Sequence, residues 1–184
     1  ILLSIILSLS CSLVWTQTKS SDSTATTVKP KKNIDFNVMP YISYNRNLEF
    51  MFGAIPMMMY KINPADTISP KNLSGVSAIY TTNKSYFVAL FNKFYLKEDR
   101  WRTTFFFMTG NQNSQFYMDD IDAPDFYDYG TKTTVVNFSV QRKVVKSLYA
   151  GIGYSHAHYD TTYEDNLQPA SKTHTNGLQA IVMY

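Results

Sequence analysis

LSGVSAIYTT-NK-SYFVALFNKFYL-KED-RWRTTFFFMTG, residues 73–110, reads as three aromatic-rich strands joined by two tight polar turns. Leu73–Thr82, Ser85–Leu96 and Arg100–Gly110 each run about 10–12 residues, the length a tilted strand needs to cross a bilayer. Only Asn83-Lys84 and Lys97-Glu98-Asp99 separate them. Strands in globular sandwiches usually run about 5–6 residues, so this spacing favours a transmembrane barrel over a soluble sandwich.

Working outward, the same reading predicts eight strands, near 36–45, 48–61, 73–82, 85–96, 100–110, 132–143, 147–158 and 173–184. Alternation is cleanest where Thr134, Val136, Phe138 and Val140 face opposite to Asn137, Ser139 and Gln141. It continues with Leu148, Ala150, Ile152 and Tyr154 against Gly151, Gly153 and Ser155. One apolar and one polar face at a period of two fits a barrel wall around a polar interior. Long connections at 111–131 and 159–172 alternate with very short ones after the fourth and sixth strands, and outer-membrane barrels place their long loops outside. The connection 63–72 is the exception, a long turn on the periplasmic side. Tyr41, Tyr44, Tyr60, Tyr80, Tyr86, Tyr95, Trp101 and Tyr154 fall near strand ends, where interfacial aromatic girdles sit.

Composition narrows the class. The chain has 184 residues with 14 Tyr, 12 Phe and 2 Trp, and a formal charge of only +3. No Lys/Arg block exceeds Lys31-Lys32, so the electrostatic footprint of a nucleic-acid binder is missing. Residues 1–17 read as a secretory signal, an uncharged Leu/Ile/Val/Ser run too short for a membrane helix. Residues 18–35 read as a flexible Ser/Thr/Lys-rich linker, and 36–184 as the barrel, possessing about eight visible strands and forming part of a larger barrel. Cys11, the single cysteine, lies within the signal; Ser8-Leu9-Ser10-Cys11 is a poor lipidation motif.

Candidate chemistry is sparse. His156 and His158 share one strand face with His174 expected on the neighbouring strand, which raises a metal site; their continuation of the Leu148–Tyr154 face past the rim is the simpler explanation. Asp119, Asp120, Asp122, Asp125 and Asp128 crowd the longest loop, an oxygen-rich set that lacks the spacing of a calcium-binding EF-hand. Asp120 and Asp122 are its metal candidates. No nucleophile elbow, zincin motif or phosphate-binding glycine loop occurs, so no catalytic residue and no cofactor is assigned; a barrel enzyme would need His156 or His158 to meet a serine from another strand. Lys93, Arg102, Asn137, Gln141 and Arg142 are expected toward the lumen or its rim, since a charge facing lipid at midplane costs about 2–4 kcal/mol. Pairing with Glu98 or Glu49 is the expected use of the cations.

The segment Ala78–Lys84 continuing to Phe94–Arg102, with Val38–Asn45 and Phe52-Gly53-Ala54 before it, resembles the first barrel strands of BamA/TamA-like surface antigens, the Omp85 superfamily, from Bacteroidetes. Gln115–Pro124 is similar to that family's Phe-Tyr-Gly-x-Gly-x loop, with Met118 and Asp120 replacing its glycines. The resemblance covers about residues 36–158. It implies an outer-membrane location, a non-enzymatic role in outer-membrane protein assembly, and lipid, unfolded outer-membrane proteins or assembly machinery as partners. The family's POTRA domain is not found within these residues, and neither is the Arg-Gly-Phe motif of its late lumen loop. The competing expectation is a small closed eight-stranded barrel with a porin-like, adhesive or structural role.

Overall fold

A computed structural model of the chain describes residues 34–119, 125–163 and 169–184. They form one antiparallel sheet of eight strands: β1 Ile34–Asn45, β2 Glu49–Tyr60, β3 Asn72–Thr81, β4 Tyr86–Leu96, β5 Trp101–Met118, β6 Asp125–Val145, β7 Leu148–Tyr163 and β8 Ser171–Met183. Every strand pairs with its neighbours in sequence, in the order β1 to β8, as a meander. No helix among the described residues is long and apolar enough to cross a membrane. Residues 1–33 lie outside the description, and with them the expected signal and nearly all of the linker. Ile34 and Asp35, expected in the linker, already pair with Tyr60 and Met59.

Two expected loops are largely strand. β5 and β6 pair continuously from Trp101↔Arg142 to Met118↔Asp125, so most of 111–131 is a hairpin extension rather than a loop. The β7–β8 pairing likewise extends to Thr161↔Ser171. The first carries Asn, Gln, Ser and Tyr and the second Thr, Tyr and Asp in place of the apolar alternation below them; β-propensity and backbone pairing hold such residues in strands without a hydrophobic face.

The register sorts side chains onto two unlike faces. One carries Phe36, Val38, Ile42, Phe52, Val76, Val88, Leu90, Phe107, Val136, Phe138, Ile152, Leu178 and Val182. Many of these are exposed, Ile42 at 81% and Leu178 at 89%. The opposite face holds the more buried residues, among them Thr81, Ala89, Ser139, Gln141 and Tyr149. A flat sheet would expose both faces alike, so the sheet curls with this second face inside. Glycines mark the curl: at Gly75 a Cβ would come within 2.3 Å of the Phe91 ring, and at Gly151 within 2.1 Å of the Val140 carbonyl oxygen. Six of the seven glycines stand on the inner face, where converging side chains leave least room; Gly130 alone is on the outer face.

The sheet is open. Among the described residues β1 has only β2 beside it and β8 only β7. Pro40 stands in β1, an edge strand that tolerates a missing N–H. Pro56 in β2 interrupts the β2–β3 pairing, which lapses between Ala54↔Ala78 and Met57↔Gly75.

Candidate functional site

Two ends bound the curled sheet, and both are knit by polar side chains. At one end lies the turn between β4 and β5. Its residues Lys97, Glu98 and Asp99 have φ of 54°, 59° and 59°, three successive non-glycine residues in the left-handed region. Such a conformation costs about 1–2 kcal/mol per residue, so the turn needs outside support.

The 61–71 connection supplies it. Asp66 Oδ2 accepts the Glu98 amide (3.2 Å), and the Ser69 hydroxyl accepts the Asp99 amide (2.8 Å) while donating to Asp66 Oδ2 (2.6 Å). Lys61 donates to the carbonyl oxygens of Asp66 and Ser69, closing the loop on itself. The long 61–71 connection, the exception to the pattern of loop lengths, is therefore the clamp of a strained turn. The Ser69 hydroxyl and amide hold the Asp66 carboxyl down at about 2, below its ordinary 3.8.

From this turn Asp99 reaches inward. Its carboxylate receives Arg102 Nε at 2.8 Å and Nη2 at 2.7 Å, a bidentate pair, and the Tyr149 hydroxyl at 2.6 Å. The Arg102 guanidinium lies 3.7 Å from the Tyr149 ring centroid and 5.6 Å from that of Tyr95. Arg102 thus has a carboxylate for its fork and aromatic faces for its plane, the two contacts to which a guanidinium is best suited. The Arg102 contact, first among the causes, lowers the Asp99 carboxyl below its ordinary range.

The expected lumen residues separate accordingly. Lys93, Arg102, Asn137 and Gln141 all lie on the inner face. Arg142 does not: one step from Gln141, it points outward at the rim, with its guanidinium 5.5 Å from the Trp101 ring. The cations also choose different partners from those expected. Arg102 pairs with Asp99 rather than Glu98, Glu98 lies 4.0 Å from Arg100, and Glu49 accepts the Thr82 hydroxyl. Lys93 sits over the Tyr95 ring at 5.6 Å. Sequence reasoning missed Asp99, Tyr149 and Asp66; the signal available was a carboxylate three residues before Arg102 in the turn itself.

The histidines continue the outer face, as the alternation implies. His156 Nδ1 lies 2.7 Å from Asn176 Oδ1, which also accepts the Tyr154 hydroxyl at 2.8 Å. His158 and His174 stack at 4.3 Å and 21° with their Nδ1 atoms 3.0 Å apart. That contact is a hydrogen bond, in which one Nδ1 carries a proton and the other accepts it, so the two nitrogens engage each other. No group of three or more His, Cys, Asp or Glu gathers at metal-binding spacing among the described residues. Asp120 and Asp122 lie outside those residues; Asp128 is in β6, not in a loop.

Charge on the outer face is confined to its ends. Lys132, Asp128, Asp160 and Lys172 stand at one end and Arg142 at the other. Between Lys132 and Arg142, β6 turns only Thr134, Val136, Phe138 and Val140 outward. Aromatic rings border this zone: Tyr44, Phe50, Phe52, Tyr80 and Tyr86 at the upper side, with Tyr44–Phe50 at 5.0 Å and Phe52–Tyr80 at 5.7 Å, and Tyr60 and Trp101 at the lower. Tyr41 and Tyr95, expected in the girdle, face inward, and Tyr154 lies within its strand away from the end. Compared with protein-family models, curated proteins and solved structures, the chain matches none.

Proposed function

We propose that this chain is the wall of an outer-membrane β-barrel, non-catalytic, with its outer face against lipid. One observation carries the reading. Ten residues separate Lys132 from Arg142 on the outer face of β6, which is about 33 Å along a strand, or about 25 Å across a bilayer at a tilt near 40°. That matches the apolar band of transmembrane barrels. Each exposed Val, Leu, Ile or Phe is roughly 1.5–3 kcal/mol less stable in water than buried, so a band this wide calls for an apolar surrounding. The aromatic borders support the same placement.

The finer reading is a BamA/TamA-like surface antigen with a part in outer-membrane protein assembly, its partners lipid and unfolded or assembling outer-membrane proteins. Its support is the strand-and-turn resemblance together with the open sheet: unpaired edges do not persist in hydrocarbon, so β1 and β8 need partners, which the further strands of a larger barrel would supply. A small closed eight-stranded barrel is the second reading, favoured by an even strand count that sets β1 and β8 antiparallel and able to join directly.

Heat-modifiable mobility of the protein from outer-membrane extracts is the first test; its absence, or recovery of the protein in the soluble fraction, sinks the barrel reading. Cysteines placed in β1 and β8 then separate the two forms. Rapid cross-linking within one chain supports the small closed barrel, and none supports the larger one.

A further inference from the structure

At the end of the sheet opposite the Asp99 clamp, a cleft of about 1130 Å³ is bordered by the β1–β2 and β3–β4 turns and the extended parts of β5, β6 and β7. We infer that it is a binding site for an uncharged pyranose sugar, seated over Gly130 and against the ring of Tyr86.

Gly130 is the first reason. Gly53, Gly75, Gly110 and Gly151 stand where a Cβ would strike backbone or a ring, and Gly177 and Gly153 where it would crowd side chains at 2.7 Å and 3.2 Å. At Gly130 a Cβ would meet only Asn111 Oδ1 and Asn113 Oδ1, each at 3.6 Å, and Thr162 Oγ1 at 3.8 Å. Those are ordinary contact distances, so packing does not demand a glycine here. The missing side chain instead leaves bare backbone ringed by three side-chain oxygens from β5 and β7.

The second reason is the chemistry of the walls. Asn111 Nδ2 donates to Asn113 Oδ1 (2.8 Å), Asn113 Nδ2 to the Asn83 carbonyl (3.1 Å) and the Thr162 hydroxyl to the Gly130 carbonyl (3.5 Å); each amide nitrogen keeps a second N–H to donate, and the amide oxygens and the hydroxyl keep lone pairs to accept. A sugar hydroxyl is both donor and acceptor, which suits this mixture. Tyr86 pairs in register with Asn111, one of the three residues around Gly130, and its ring, 45% exposed, can cover the C–H face of a pyranose ring. A few placed polar groups beside exposed apolar surface are the usual make-up of a small-molecule site, and roughly 300–1,000 Å³ its usual size.

The third reason is charge. Arg46, Lys84 and Lys132 line the cleft together with Glu49 and Asp128, so the cations are nearly balanced. An anion would meet the acceptor oxygens over Gly130, and a metal cation would meet Lys132 two residues away on the same face. A neutral polyol meets neither penalty. The site stands without the membrane reading; that reading bears only on whether the sugar is free or is the headgroup of a surface glycolipid.

The test uses the full chain refolded in an amine-oxide detergent, because glucoside and maltoside detergents carry the proposed ligand. Methyl glucoside, methyl mannoside, N-acetylglucosamine and maltose are titrated with saturation-transfer NMR as the readout. Saturable binding of at least one is expected, weakened tenfold or more in Gly130→Val, whose side chain fills the floor, and several-fold in Tyr86→Ala. Thr162→Val keeps the test falsifiable should Gly130→Val fail to fold. Vesicles with and without lipopolysaccharide then assign the source: binding of free sugar, or stronger retention on the glycolipid vesicles, both support the site. No binding of any of these sugars overturns it, as does displacement by equimolar inorganic phosphate or calcium chloride. Heat-modifiable mobility, measured on the same preparation, reports the barrel separately.

Discussion

Asn83 and Asn113 hold each other by side chain to backbone in both directions: Asn83 Nδ2 donates to the Asn113 carbonyl at 3.0 Å, and Asn113 Nδ2 to the Asn83 carbonyl at 3.1 Å. The pair joins the β3–β4 turn to the point where β5 outgrows β4. Asn83 also donates to the Asn47 carbonyl at 2.9 Å, while its Oδ1 accepts the Thr81 hydroxyl and the Ser85 amide. One amide therefore saturates its hydrogen-bonding capacity and ties three hairpins together.

Replacing Asn83 with Ala removes its four side-chain bonds at once and keeps only the one to its backbone carbonyl. At about 0.5–1.5 kcal/mol per bond, discounted for the exposed one, the loss is roughly 2–3 kcal/mol. Urea unfolding of the micelle-refolded protein measures it; Asn83→Asp, which keeps the acceptor and loses the donors, should fall between wild type and Ala.

Acid should loosen the clamp end first. The Asp66 carboxyl is depressed from 3.8 to about 2 by Ser69, and the Asp99 carboxyl is depressed chiefly by Arg102. A depressed carboxylate contributes stability that is complete above its unfolded value and lost as pH falls through the folded one. For Asp66 that window runs from about pH 3.8 down to about 2. Unfolding midpoints across this range should fall less steeply in Asp66→Asn than in wild type. Parallel curves would show that Asp66 carries no linkage.

The left-handed turn offers a stabilising change. Lys97 at φ 54° is non-glycine where glycine is unstrained. Lys97→Gly relieves about 1–2 kcal/mol and returns about 0.5–1 to chain entropy, so a gain of up to about 1 kcal/mol is expected. The temperature of the gel-mobility transition is the readout, and it should rise.

Neighbouring residues of β6 should respond oppositely to charge. Phe138 faces outward and Asn137 inward. Phe138→Arg should cost about 2–4 kcal/mol in a bilayer, and Asn137→Arg much less, because only the first places a cation against hydrocarbon. Equal costs in lipid-vesicle refolding would contradict the assignment of faces.

Much of this was legible from local pattern. Strand alternation is a period-two property of residues such as Val136, Asn137, Phe138 and Ser139, and it placed the eight strands and the two faces. It failed where the apolar alternation stops, at 111–118 and 125–131, because backbone pairing continues there without a hydrophobic stripe. Arg142 stands at the rim, one of the two places expected for it, and its position one step after Gln141 dictates that it faces outward there. Corrections to the girdle at Tyr41 and Tyr95 follow from the same rule.

The sequence by itself determined that the chain is antiparallel β with one apolar face, since alternation and turn length are local and need no partner. Only the tertiary structure decided which residues meet. Asp99 finds Arg102 next to it but Tyr149 fifty residues away, and Asp66 supports a turn thirty-two residues further on. Gly130 is an ordinary strand glycine until β5 and β7 bring Asn111, Asn113 and Thr162 around it. Register creates those neighbours, and it is set cooperatively by seven strand pairings that no single segment encodes.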